Sequence, residues 1–291
     1  VQERLPSSKP AENPVDKVLA KVGDVAVLPQ VVCQVLEFTG NEDAGTQQLV
    51  KVITVDPGFS AKILAQANSV FYALPRKVTS IHEALMFLGF KQIRQLAMAV
   101  GVFDLFVGKN DKESLRRRTW WKHSIDTAAC CRAISMPLID VNPDDAYTCG
   151  LLHLIGKTLL DRFDPDQYSR VQGVVDQGAP DVLAERAVFG CDHIAVGHAA
   201  SVKWGFPDSL SRGLDYFTPS DQTGPDHALR ACVAIGSRLV RLAHAGVAPQ
   251  EVRPEMLPSW PLVVLALPGE RIPMIADRGM RAILSNESFV M

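Results

Sequence analysis

The chain has 291 residues, 47% hydrophobic and 21% charged, and its 30 Lys and Arg nearly balance 32 Asp and Glu for a formal net charge of -2. That composition suits a folded chain with a sizeable core and excludes a largely disordered one; without a basic excess it also argues against a general binder of nucleic acid or anionic membrane. The longest apolar runs, residues 96–103 and 262–267, fall far short of the roughly 18 residues of a membrane span, and the opening Val-Gln-Glu-Arg has no signal-peptide profile. Six cysteines without a C-x-x-C pair, most of them inside apolar helical patterns, read as reduced core residues of a cytoplasmic protein.

Residues 1–24 are polar and punctuated by Pro6, Pro10 and Pro14, the pattern of a linker or loosely attached arm. Helix signals then follow one another. Pro29 opens a short helix carrying Val32, Val35 and Leu36 inward and stopping at Gly40, and Thr46 starts another with Leu49, Val50 and Ile53 at helical spacing. Asp56-Pro57 is a strong start, because the carboxylate caps free N–H groups while proline at the first helical position loses no hydrogen bond. Ser80 and Glu83 have the spacing of a capping box, and Ile93, Leu96, Ala97 and Val100 continue the helical period. Further helices are expected over 119–136, 142–163, 181–189, 192–204 and 226–245, each with a capping residue or proline near its start. No segment alternates convincingly at period two; 262–267 is ambiguous and too isolated to build a sheet. The expected class is all-α, in one continuous domain, with a Pro-rich and then helical stretch over 246–291.

Several residues carry candidate chemistry. The run Arg116-Arg117-Arg118-Thr119-Trp120-Trp121-Lys122 has the basic and aromatic mixture that binds single strands, but the acidic balance favours solvated arginines beside buried tryptophans. His193 and His198, five residues apart, miss the i, i+4 spacing that places two imidazoles on one helix face, and Asp192 reads as an N-cap. The adjacent Cys130 and Cys131 point in different directions on a helix and read as packing residues.

The blocks Asp56-Pro57, 64–81 (Leu-Ala-Gln-Ala-Asn-Ser-Val-Phe-Tyr-Ala-Leu-Pro-Arg-Lys-Val-Thr-Ser-Ile), Glu83-Ala84-Leu85, Leu88-Gly89, Trp121-Lys122-His123-Ser124, Gly150-Leu151-Leu152-His153-Leu154-Ile155-Gly156-Lys157 and Phe189-Gly190-Cys191-Asp192-His193 closely resemble the HDOD family. HDOD domains are degenerate relatives of the metal-dependent HD phosphohydrolases. The resemblance covers roughly 25–245 and implies an HD-like helical bundle preceded by an N-terminal helical subdomain.

An HD site holds divalent metal with a first His, a consecutive His-Asp pair and a later Asp; the metal acidifies a bound water to make hydroxide. By resemblance the two histidines correspond to His123 and His153, the paired Asp to Leu154 and the last Asp to Ser237. Both carboxylates are missing, so neither metal nor cofactor is expected. Asp126, one turn from His123, is the nearest substitute ligand, and Asp161 a more distant one. The matched lysine, Lys157, approaches phosphate in active relatives; it lies one helical turn beyond His153, where a lysine more often snorkels to the surface. The candidate pocket is therefore His123, His153, Lys157 and Asp126, taking at most a small anionic ligand. A short histidine run that HDOD sequences often carry is here Asp215-Tyr216-Phe217. The resemblance implies a non-catalytic, cytoplasmic regulatory module of bacterial signalling, partnered by response-regulator or cyclic-di-GMP-related domains, with no nucleic-acid or membrane role. The alternative is a metal-dependent phosphohydrolase acting on nucleotides or phosphodiesters.

Overall fold

The computed structural model describes residues 13–22, 30–37, 46–69, 72–106, 111–216, 224 and 226–284. All regular structure among them is helical, as the periodicity requires. The expected start at Pro29 and stop at Gly40 lie outside the described residues.

The first half comprises α1 (Pro14–Val22), α2 (Gln30–Glu37), α3 (Thr46–Thr54), α4 (Pro57–Ala67), α5 (Ile81–Leu88) and α6 (Phe90–Phe106). Asp56 caps α4 by accepting from the N–H groups of Gly58 and Phe59. Ser80 caps α5 by accepting from Glu83 N–H, while Glu83 reaches back to the N–H of Thr79, one residue before the cap. The Asn68 side chain donates to the Val78 carbonyl and accepts from its N–H, both at 2.8 Å, tying the end of α4 to the approach of α5. α6 packs on α2, α4 and α5, and also touches α7, α8 and α9 of the second half, whose ranges are α7 (Asp111–Ser135), α8 (Pro143–Leu152) and α9 (Ile155–Phe163).

The chain continues through α10 (Pro165–Val175), α11 (Asp181–Phe189), α12 (His193–Lys203), α13 (Asp208–Gly213), α14 (His227–His244), α15 (Ser259–Val264) and α16 (Ile272–Leu284). α7 is the central element, packed by α8, α14 and α16. Gly150 lets α8 approach: a Cβ there would lie 2.8 Å from Ala128 Cα. Gly156 does the same for α9 and α12, where a Cβ would come within 1.8 Å of the His193 carbonyl oxygen.

Four expectations change. The arm over 1–24 contains α1, whose Val18 and Val22 are buried and which packs on α9 and α12. Val15, Val18, Leu19 and Val22 have amphipathic spacing that the flanking prolines mask. The helix expected over 142–163 breaks at His153 and Leu154 into α8 and α9. The Gly150 carbonyl, which a continuous helix would offer to Leu154 N–H, meets His153 Nδ1 at 2.6 Å, a side chain competing with the backbone ladder. The helix expected from Thr119 starts at Asp111. Finally, Arg116 and Arg117 are not solvated: both bind the fully buried Asp161, and Arg117 is 2% exposed. Trp120 and Trp121 are buried beside them, so much of the basic and aromatic run serves packing. α10 and α13 were not among the expected helices, although Asp164-Pro165 repeats the cap-then-proline signal of Asp56-Pro57.

Candidate functional site

His123 on α7, His153 at the end of α8 and Ser237 on α14 meet in the interior. The two imidazole rings lie 5.3 Å apart, and Ser237 Oγ is 3.2 Å from the Nε2 of each. Burial and the neighbouring His153 hold His123 well below the usual histidine range; burial likewise lowers His153, to about 3, although its bond to Gly150 opposes the shift. Both rings are therefore neutral at ordinary pH.

Their protons can be placed. The Gly150 carbonyl only accepts, so His153 carries its proton on Nδ1 and presents a lone pair at Nε2. Ser237 donates its single hydroxyl proton to that nitrogen and accepts from His123 Nε2–H. A hydroxyl thus bridges the two imidazoles at the positions where the resemblance places metal ligands.

The remaining expected site residues go elsewhere. Lys157 lies on α9, buried, and pairs with Asp181 at the start of α11; the break after α8 removes it from the His153 helix face. Asp126 is buried, and its Oδ2 accepts from His244 Nε2 at 2.9 Å and Lys122 Nζ at 3.4 Å. Asp161 is held by the two arginines. Leu154 is a buried apolar residue. Among the described residues no group of three or more His, Cys, Asp or Glu is placed to hold a metal. Two neutral imidazoles and a serine hydroxyl bring no negative charge to offset a divalent ion, so the donor set does not fit a hydrolytic metal.

A second polar chain adjoins the first and includes residues that sequence reasoning missed. Buried Glu185 accepts from Tyr168 Oη at 2.9 Å, from His193 N–H at 2.8 Å and from His193 Nδ1. Burial raises the Glu185 carboxyl, but His193 and Lys157 outweigh it and hold the group below the usual glutamate range. His193 Nε2 lies 3.1 Å from Tyr216 Oη, and the Tyr216 ring is 5.5 Å from that of His153. Asp192 caps α12 as expected, accepting from Ile194 and Ala195 N–H, which fixes the backbone that carries His193. Tyr216 sits where the expected histidine run is absent, the one signal that marked the position.

Over these two chains opens a cavity of about 620 Å³ lined by His193, Tyr216, Ser237, Asp181, Arg241 and Trp260, among others. Ala234, Ser237, Arg238 and Arg241 line it from one face of α14, at helical spacing. Asp181 is bound by both Lys157 and Arg241; burial raises its carboxyl, but these cations prevail and bring it to about 2.

Two solved structures share this architecture. A solved structure from Shewanella amazonensis SB2B, provisionally named a phosphohydrolase, has a TM-score of 0.68 at 22% identity, covering 92% of this chain and 97% of that one. One from Marinobacter aquaeolei VT8, provisionally named a signal transduction protein, has a TM-score of 0.74 at 22% identity, covering 95% of this chain and 65% of that one. An uncharacterized protein of Treponema pallidum (strain Nichols) is 20% identical over 243 residues, 82% of this chain, and the chain spans only 46% of that relative's length. The family model of the HDOD domain matches residues 25–218, two thirds of the chain. With that match and the helical architecture around His123, His153 and Lys157, the chain belongs to the HDOD family.

Proposed function

We propose that this chain is a non-catalytic regulatory module of bacterial signal transduction, acting in the cytoplasm through protein partners and holding a small anionic ligand in the altered pocket. The observation that carries the reading is the Ser237 bridge: the imidazole nitrogens that would bind metal are hydrogen-bonded to a hydroxyl, with no carboxylate in the set. The phosphohydrolase alternative needed Asp126 or Asp161, and both are engaged by basic side chains. A ligand role is supported by a pocket of the size that takes small molecules. Its surroundings carry Lys157, Arg238 and Arg241 against Asp181 and Glu185, a net excess of one positive charge.

The signalling context is supported by the named Marinobacter neighbour, whose likeness covers the fold. Response-regulator or cyclic-di-GMP-related domains are the proposed partners. Elemental analysis of protein purified with added manganese or iron tests the non-catalytic half: the expected content is far below one metal per chain, and a stoichiometric metal lost in His123→Ala would overturn it. A pull-down from the native cell tests the other half, and enrichment of unrelated metabolic enzymes alone would count against signalling.

A further inference from the structure

Arg238 and Arg241, one helical turn apart on α14, line the exposed side of the cavity, and neither guanidinium is fully committed. Arg238 donates through Nε to the Met256 carbonyl at 2.6 Å, and Arg241 binds Asp181 through Nη2. Among the described residues, both Nη groups of Arg238 and the Nε and Nη1 of Arg241 have no partner. Neighbouring guanidiniums with uncommitted N–H groups suit an oxyanion, which each can meet with two parallel hydrogen bonds.

The rest of the lining is chiefly apolar and includes Pro180, Val182, Ile194 and Trp260. Its buried polar atoms already have protein partners: His193 Nε2 meets Tyr216 Oη, and Ser237 Oγ meets both His123 and His153, while Ser259 is exposed. Trp260 is half-buried on α15, and no ring of another described residue packs on it. α15 packs on α14, and the Arg238 bond to Met256 ties α14 to the segment that leads into α15, so indole and guanidiniums are held on adjoining elements. A compact anion such as inorganic phosphate would use the arginines and leave most of the 620 Å³ and its apolar walls unfilled.

We infer that the pocket takes an oxyanion carried on a flat aromatic body, with its charged group at Arg238 and Arg241 and its ring against Trp260. This rests on the anionic-ligand reading above and adds the body that the anion carries. It also gives the stretch over 246–291 a role, as the wall that supplies the indole.

Calorimetric titration of the full chain with methyl phosphate, naphthyl phosphate and naphthalenemethanol tests it; the first is an anion without a ring and the last a ring without a charge. Naphthyl phosphate is expected to bind about thirtyfold more tightly than methyl phosphate, the return of burying roughly 80 Å² of additional apolar surface. It is expected to bind about tenfold more tightly than naphthalenemethanol, which brings no charge to the arginines. Trp260→Ala is expected to cut the preference for the aromatic phosphate about fivefold, and Trp260→Leu, which keeps an apolar wall, about threefold. Arg238→Gln is expected to weaken both phosphates alike. Equal binding of the two phosphates by the unaltered chain, or a preference unmoved in both Trp260 variants, overturns the aromatic rule while leaving an anion pocket standing. Naphthalenemethanol binding as tightly as naphthyl phosphate, or binding of neither phosphate at millimolar concentration, removes both.

Discussion

Ser237 Oγ stands 3.2 Å from His153 Nε2, so a hydroxyl occupies the nitrogen through which an imidazole of an HD site would hold its metal. The same oxygen is 3.2 Å from His123 Nε2, making one serine the partner of two buried rings. Ser237→Ala leaves both nitrogens without that partner and is expected to cost about 1–3 kcal/mol. Urea denaturation at pH 7.5 measures it, and an unchanged midpoint would mean that the bridge contributes nothing to stability.

The missing carboxylate makes a gain-of-function prediction. Ser237→Asp places an acid beside His123 and His153, and the variant is expected to be less stable without metal because it buries a carboxylate in place of a neutral bridge. Added Mn²⁺ or Ni²⁺ should raise its Tm, by the equivalent of about 3 kcal/mol at a hundredfold excess over Kd, and leave the unaltered chain unmoved. Equal shifts in both proteins would contradict the argument from the donor set.

Asp161 is expected to be among the costliest acids to remove. It is fully buried against Arg116 and Arg117, so Asp161→Ala strips the counter-charge from a guanidinium that is itself 2% exposed. A loss of about 3–5 kcal/mol is expected in chemical denaturation. A loss below 1 kcal/mol would show that the arginines regain solvent or other partners at little cost.

Acid should destabilise the fold from a higher pH than carboxylates alone would produce. His153 sits at about 3 in the folded chain against an ordinary 6.5, so between these values the unfolded chain binds more protons and stability falls as pH drops from 6.5 toward 3. Buried His123 is shifted in the same direction. Asp181, held at about 2 against its ordinary 3.8, adds a loss of the same sign below pH 4. His153→Gln should flatten the dependence of the urea midpoint between pH 6.5 and 4.5; an unchanged slope would exclude His153 as its source.

Gly150→Ala tests the close approach that brings the histidines together. The new Cβ would lie 2.8 Å from Ala128 Cα and 2.9 Å from the Thr127 carbonyl oxygen, backbone atoms that cannot turn away. A loss of about 1–3 kcal/mol or more is expected in thermal or urea denaturation. No loss would show that α7 and α8 separate freely.

The amino-acid order by itself determined the helical class and where many helices begin, because caps such as Asp56, Ser80 and Asp192 act on N–H groups within three residues of themselves. It also determined which acids are absent, since Leu154 and Ser237 cannot supply a carboxylate wherever the chain carries them. The break after α8 was illegible, because buried residues run without interruption from Ala146 into α9 and no proline or glycine marks His153. Only the tertiary structure decided how the polar groups pair: Ser237 reaches His123 across 114 residues and His153 across 84, while Lys157 turns to Asp181, 24 residues on. Helical periodicity reports which face of an element is buried, whereas a buried donor must find an acceptor on whatever helix packs against it. The pocket is set by such long-range pairings, and they arise only when α7, α8, α11, α12 and α14 come together.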